Sequence, residues 1–183
     1  MQLQSVEHRE HVRPVGAQVN AHPRPPTRFT RLDRELHAFT HSEIPDGVQA
    51  IPLDSSLSRW VGSIAGPMGT PYEGGKFFVV IHYPSAYPIA APQLRFLTRI
   101  LHPNISEHGD IGVDMLTTCW CPSLTTASML VSIRSLLADP STSDSPAMRP
   151  DVALLYDQRP LVYRSLAQLC TQKYAMSEMH VAL

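Results

Sequence analysis

Residues 60–98, WVGSIAGPMGTPYEGGKFFVVIHYPSAYPIAAPQLRFLT, decide the architecture. Within and beside this run, Arg59–Ala65, Lys76–Tyr83 and Gln93–Thr98 are short stretches of β-branched and aromatic residues bounded by Gly, Pro or Ser, the pattern of strands separated by turns. Val48–Pro52, just upstream, has the same character. Their connections are rich in turn residues, so the four strands are predicted to run as an antiparallel meander.

Outward from the strands the period changes. Phe29, Leu32, Leu36 and Phe39 recur at spacings of three and four, with Arg31, Arg34, Glu35 and His37 expected to turn away from them, which predicts an amphipathic helix. A second helix is predicted to start at Thr125 or Thr126, whose hydroxyl can cap it. It should bury Met129, Leu130, Ile133, Leu136 and Leu137 and stop at Asp139-Pro140. Pro150 and Pro160 each suit a first helical turn, opening a short helix through Val152 and Leu155 and a longer one through Leu166 and Leu169. An N-terminal helix, four strands and grouped C-terminal helices give an α+β layer architecture without internal repeats.

The organisation follows from composition. Residues 1–28 carry Gln, His, Arg and Pro with almost no periodic apolar face and are expected to be a disordered extension. Beyond Glu10 this tail has Arg13, Arg24 and Arg28 and no acid, as a weak organelle address or a ligand for a proline-binding module would. A solvated arm is the plainer reading. Residues 29–176 form the core domain, and 177–183 are a short C-terminal extension.

A chain of 183 residues is about one domain long, and its net charge of -1 argues against nucleic-acid binding driven by bulk charge. No apolar run approaches the roughly 20 residues that span a bilayer. Glu7, Arg9 and Glu10 stand where a signal peptide would be apolar. Cys119, Cys121 and Cys170 are odd in number and lack C-x-x-C spacing, so neither a disulfide framework nor a zinc site is indicated. The expectation is a protein of the cytoplasm, the nucleus or both, without membrane or nucleic-acid partners. His37 and His41 stand four apart but have no third ligand in sequence reach, so no metal and no cofactor are expected.

Between Ile100 and Thr125 the chain has little helix or strand pattern yet is rich in specific residue types, as functional loops on rigid scaffolds are. It reads His102-Pro103-Asn104-Ile105, then Gly109-Asp110-Ile111-Gly112-Val113-Asp114, then Trp120-Cys121-Pro122-Ser123. With the 60–98 run and the terminal Thr171-Gln-Lys-Tyr-Ala-Met176, this closely resembles the ubiquitin-conjugating enzymes, from about Phe29 to Met176, and most of all their D class. The resemblance implies the UBC fold. It also implies a chemistry in which the C-terminal glycine of ubiquitin is carried as a thioester on a cysteine, because a thiolate is both a good nucleophile and a good leaving group near neutral pH.

The family pattern after His-Pro-Asn is Gly-x-Ile-Cys-Leu-Asp, so Gly112 stands at the nucleophile position. By resemblance, Asn104 stabilises the oxyanion or braces the loop, and His102 and Pro103 hold the loop in shape. Asp114, with Asp144 or Ser145 opposite, matches an acidic gate that orients the incoming lysine, although residues 141–146 are longer than the family's loop. Taken without the family, His-Pro-Asn reads as a plain turn.

Arg31 and Arg34 match basic positions that engage the activating enzyme and ligases, and a solvated helix face would explain them equally well. Pro88-Ile89-Ala90 and Cys121-Pro122-Ser123 match the two loops on which RING domains dock. With Ile89 and Ala90 replacing the family's aromatic residue and lysine, contact with HECT-type ligases is not expected. Gln49 falls where relatives have a serine used for non-covalent ubiquitin binding.

The leading expectation is a catalytically silent binding module, monomeric or paired with a conjugating enzyme, whose partners are ubiquitin, RING-type ligases and the activating enzyme. The alternatives are an enzyme that charges on Cys119 or Cys121, an altered copy of a protein with cysteine at position 112, and a remnant that binds nothing in the pathway. Cys119 and Cys121 lie seven and nine residues from position 112, and catalysis requires placement to within about an ångström, so their use would demand a rebuilt loop. Cys170 reads as a core position on the last helix.

Overall fold

The computed structural model describes residues 27–41, 44–141 and 147–176. Its centre is a four-stranded antiparallel sheet in the order β1 (Val48–Pro52), β2 (Arg59–Ala65), β3 (Lys76–His82) and β4 (Gln93–Phe96). Ala50 pairs with Gly62, Gly62 with Val79, and Val80 with Arg95. Strand periodicity sends Val48 and Ala50, then Phe77, Val79 and Ile81, then Leu94 and Phe96 to the buried face. β3 and β4 end one and two residues before the predicted positions. Tyr83 N–H donates to Ser58 O (2.8 Å) and Leu97 N–H to Phe78 O (2.8 Å), both in register with the ladder, but Phe78 N–H is taken by the Thr98 side-chain Oγ1 (2.9 Å) and not by a backbone carbonyl.

The inner face is covered by α1 (Arg28–Thr40) and α2 (Thr126–Ala138), which bring Leu32, Met129, Leu130, Ile133 and Leu137 against Trp60, Ile64, Phe77 and Ile81 in one core. Thr27 caps α1 through Thr30 N–H, so the helix begins at Arg28, one residue before its apolar pattern. α2 opens with a reciprocal Thr125–Ser128 capping box. α3 (Pro150–Gln158) and α4 (Pro160–Tyr174) each carry the proline at their start. α4 docks through Tyr163, Ala167 and Thr171, while Leu166 and Leu169, the apolar residues that mark it in the sequence, face solvent. Cys170 is half-buried, and burial pushes its thiol pKa up.

Three residues of α1, Phe29, Arg31 and Glu35, depart from the amphipathic pattern. Phe29 is half-exposed beneath the Arg28 guanidinium, and Glu35, expected outside, is only 6% exposed. Glu35 stands three residues from Leu32 and four from Arg31, and so on the flank of the buried stripe. Its carboxylate accepts from Arg31 Nε (2.5 Å) and Tyr87 Oη (2.7 Å) on one oxygen. The other oxygen accepts from the backbone N–H (2.7 Å) and the hydroxyl (2.5 Å) of Thr126. That N–H is one of the unpaired donors at the start of α2, where a negative charge is favoured.

Replacing Glu35 by Ala leaves Arg31 without its counter-charge and the Tyr87 hydroxyl and Thr126 N–H without their acceptor, and should lower unfolding stability by about 3 kcal/mol. Glu35→Gln, which keeps an acceptor oxygen, should lose less, and urea unfolding of the two variants beside the parent measures both.

Candidate functional site

The 100–112 segment is pinned to the end of the sheet by Gly109. Its φ of +90° is in the left-handed region, and a Cβ there would lie 2.2 Å from Phe96 O, so only glycine fits. Gly109 O accepts from Phe96 N–H (2.8 Å), and bridges pair Arg95 with Asp110 and Ile105 with Ile111.

Upstream, His102, Pro103 and Asn104 are buried. His102 Nδ1 accepts from the Asn104 backbone N–H (3.0 Å), so the ring proton sits on Nε2 and is donated to Leu136 O (3.0 Å), which ties the loop to α2. Burial lowers the His102 pKa from 6.5 to about 4. The Asn104 carboxamide is committed on both sides, donating to Ser141 O (2.7 Å) and accepting from Ser141 N–H (3.1 Å). Of the two roles expected for Asn104, this geometry gives loop bracing. Using its Nδ2 for an oxyanion would require breaking the bond to Ser141.

Gly112 N–H donates to Asn104 O (2.9 Å). Unlike Gly109, it is not among the residues with positive φ, so its backbone suits any L-residue. A Cβ built there would meet Met148 Cγ at 2.5 Å and Sδ at 3.0 Å. Asp114 is exposed at the start of a single 3₁₀ turn, Asp114–Leu116, and its carbonyl accepts from Thr117 and Cys119 N–H. Asp144 and Ser145, expected across the gate, lie outside the described residues.

The two exposed thiols belong to the 117–124 loop. Cys121 Sγ lies 3.1 Å from Ser123 Oγ, and hydrogen bonds from the Ser123 side chain and backbone lower its pKa. Cys119 Sγ accepts from Thr118 Oγ1 (3.9 Å). Both sulfurs are thus partnered within their own loop.

That loop forms a second surface together with the 84–90 turn. Trp120 Nε1 donates to Pro88 O (2.9 Å), and its ring packs on Tyr87 with centroids 6.1 Å apart. Arg31 Nη1 and Nη2 donate to Pro122 O (2.8 Å) and Leu124 O (2.7 Å). Arg31, expected at the surface to meet a partner, is therefore turned inward as a clamp between α1 and this loop, whereas Arg34 is exposed. Outside the clamp stand Ile89, 75% exposed, with Pro122 and Ser123 exposed and Pro88 and Ala90 half-buried. Tyr87, Glu35 and Met148, which the sequence motifs did not single out, hold or fill the two surfaces with Trp120, whose motif did.

Gln49 is exposed on the outer sheet face beside Ser63, its β2 partner. The His37 and His41 rings stack at 3.7 Å, and among the described residues no group of three or more His, Cys, Asp or Glu could hold a metal ion. No described helix is long and apolar enough to cross a membrane.

Comparison with known proteins agrees with this geometry. The family model for ubiquitin-conjugating enzymes matches residues 31–171. Among solved structures, the E2 domain of a Toxoplasma gondii ubiquitin conjugating enzyme is similar, with 38% sequence identity and a TM-score of 0.73 over 80% of this chain and 98% of that one.

A pH dependence follows from His102. Because its folded-state pKa of about 4 lies below the ordinary 6.5, the unfolded chain binds a proton in this window that the folded chain does not. The stabilisation is therefore full above pH 6.5 and declines by up to about 3 kcal/mol as pH falls toward 4. Urea midpoints at the two ends of the window should show this decline in the parent, and His102→Gln should remove most of it.

Proposed function

The chain belongs to the ubiquitin-conjugating enzyme family, and from this membership we propose that it acts in the ubiquitin pathway as a binding module that carries no thioester. The observation behind this reading is the contrast between its two surfaces. Position 112, where the family pattern has cysteine, offers only hydrogen, and a thioester needs a thiolate to form it and to leave from it. The loops that match the RING-docking surface are instead braced by Arg31, Glu35 and Trp120, with Ile89 and Pro122 presented to solvent.

A rigid apolar anchor in a proline-rimmed patch is the kind of feature that carries binding energy in small interfaces. Bound there, this protein would occupy a ligase that a charged conjugating enzyme also needs. Arg34 remains available for the activating enzyme, and Arg31 does not. Ubiquitin and a partner conjugating enzyme are further binding partners in this reading, and cytoplasm and nucleus are the compartments it expects. Cys121 favours the second reading, an active enzyme, through its exposure and lowered pKa, but its sulfur is turned to Ser123 in a loop clamped to α1.

NMR titration of the labelled protein with RING domains should shift resonances of residues 88–90 and 120–124, and Ile89→Asp should weaken binding about tenfold or more. No shifts across a panel of RING domains would overturn the binding role. Incubation with activating enzyme, ubiquitin and ATP should give no thiol-sensitive adduct on a non-reducing gel, and its appearance would establish the enzyme.

A further inference from the structure

We propose that Met148 is a plug: its side chain fills the volume into which any residue at position 112 would project, so the pocket is closed as well as lacking a nucleophile. The inference deepens the reading above and rests on it for the meaning of position 112, but the contact itself stands on geometry. A Cβ on Gly112 would lie 2.5 Å from Met148 Cγ, closer than such atoms approach, and 3.0 Å from its Sδ, a tight contact, while the next neighbour, Asn104 O, is at an ordinary 3.5 Å. One side chain is therefore the whole obstruction.

The backbone is not the obstacle, because Gly112 has no left-handed φ. Nor is Met148 a loose passer-by. The residue after it is held by Arg149 N–H donating to Pro103 O (3.0 Å) and by the Arg149 guanidinium pairing with Asp151 (2.9 Å) and Glu107 (3.3 Å). This fixes the point from which the methionine emerges against the same His-Pro-Asn turn that carries Gly112. Methionine is unbranched and polarizable and fills irregular gaps, and a glycine beside a loop leaves such a gap. At 40% exposure the side chain has one face open to solvent and the other toward Gly112. An extended C-terminal peptide such as the tail of ubiquitin would have to displace it before reaching Asn104 or position 112.

The test separates the plug from the pathway reading. In a background of Cys119→Ser and Cys121→Ser, Gly112→Cys alone should react slowly with a small aromatic disulfide reagent such as DTNB, and adding Met148→Ala should speed that reaction about tenfold. Rates within about twofold of each other would overturn the plug, whatever ubiquitin does. Should the cysteine variant fold poorly, thermal melting of Gly112→Ala, Met148→Ala and the pair decides. The melting temperature lost on Gly112→Ala should be largely recovered when residue 148 is Ala, and strictly additive changes would overturn the proposal.

Charging with activating enzyme, ubiquitin and ATP is the second arm. Gly112→Cys with Met148→Ala should charge faster than Gly112→Cys alone by a factor similar to the DTNB ratio. If the DTNB rates differ as expected and neither variant charges, the plug stands and the docking of the activating enzyme falls, while the RING-binding role is decided by the NMR titration alone.

Discussion

One buried carboxylate ties this molecule together. Glu35 collects a cation from its own helix, a phenol from the turn after β3, and the first N–H and hydroxyl of α2. The three residues that supply these groups, Arg31, Tyr87 and Thr126, are far apart in sequence, so satisfying the charge fixes how α1, the 84–90 turn and α2 meet. A buried carboxylate is tolerable only when its lone pairs are occupied, which makes the arrangement close to all-or-none. Arg31 extends it, since the guanidinium that pairs with Glu35 also holds the Pro122 and Leu124 carbonyls. The solvent-facing apolar patch around Ile89 inherits its shape from this polar interior.

The other end of the domain is organised by backbone partners instead of charge. His102 accepts from its own turn and donates to the end of α2, and Asn104 pairs with both backbone groups of Ser141. Gly109 closes the loop onto β4. His102, Asn104 and Gly109 thus hold this end of the domain through contacts that do not involve a side chain at position 112. The neutral, low-pKa His102 fits this role, because a buried imidazole with one acceptor and one donor partner has no use for a second proton.

The sheet is legible because period-two alternation and turn residues agree, and β4 stops short where the Thr98 side chain takes the Phe78 N–H from the ladder. Helix positions were legible from spacing, but helix faces less so. A charge on the flank of an apolar stripe looks solvated until its partners are known, and those of Glu35 lie 52 and 91 residues away in Tyr87 and Thr126. Arg31 was misread for the same reason. In α4 the small residues Ala167 and Thr171 pack inward and the leucines do not, an inversion that propensity cannot reveal. Met148 follows a segment of unusual length, so no spacing argument could have brought it to Gly112.

These contacts change what the preserved pocket means. An intact His-Pro-Asn turn around a missing thiol suggests at first a site kept for chemistry, yet its buried groups are already spent on holding α2 and the 141 backbone in position. Its presence is explained by folding alone. The exposed patch is different, because what bears on it is not the 75% exposure of Ile89 itself, which Met68 and Leu161 exceed, but its place between Pro88 and Ala90 beside the exposed Pro122 and Ser123. In the proposed binding role the functional weight falls on the patch held up by Glu35 and Arg31, and the proposed Met148 plug takes it away from the pocket.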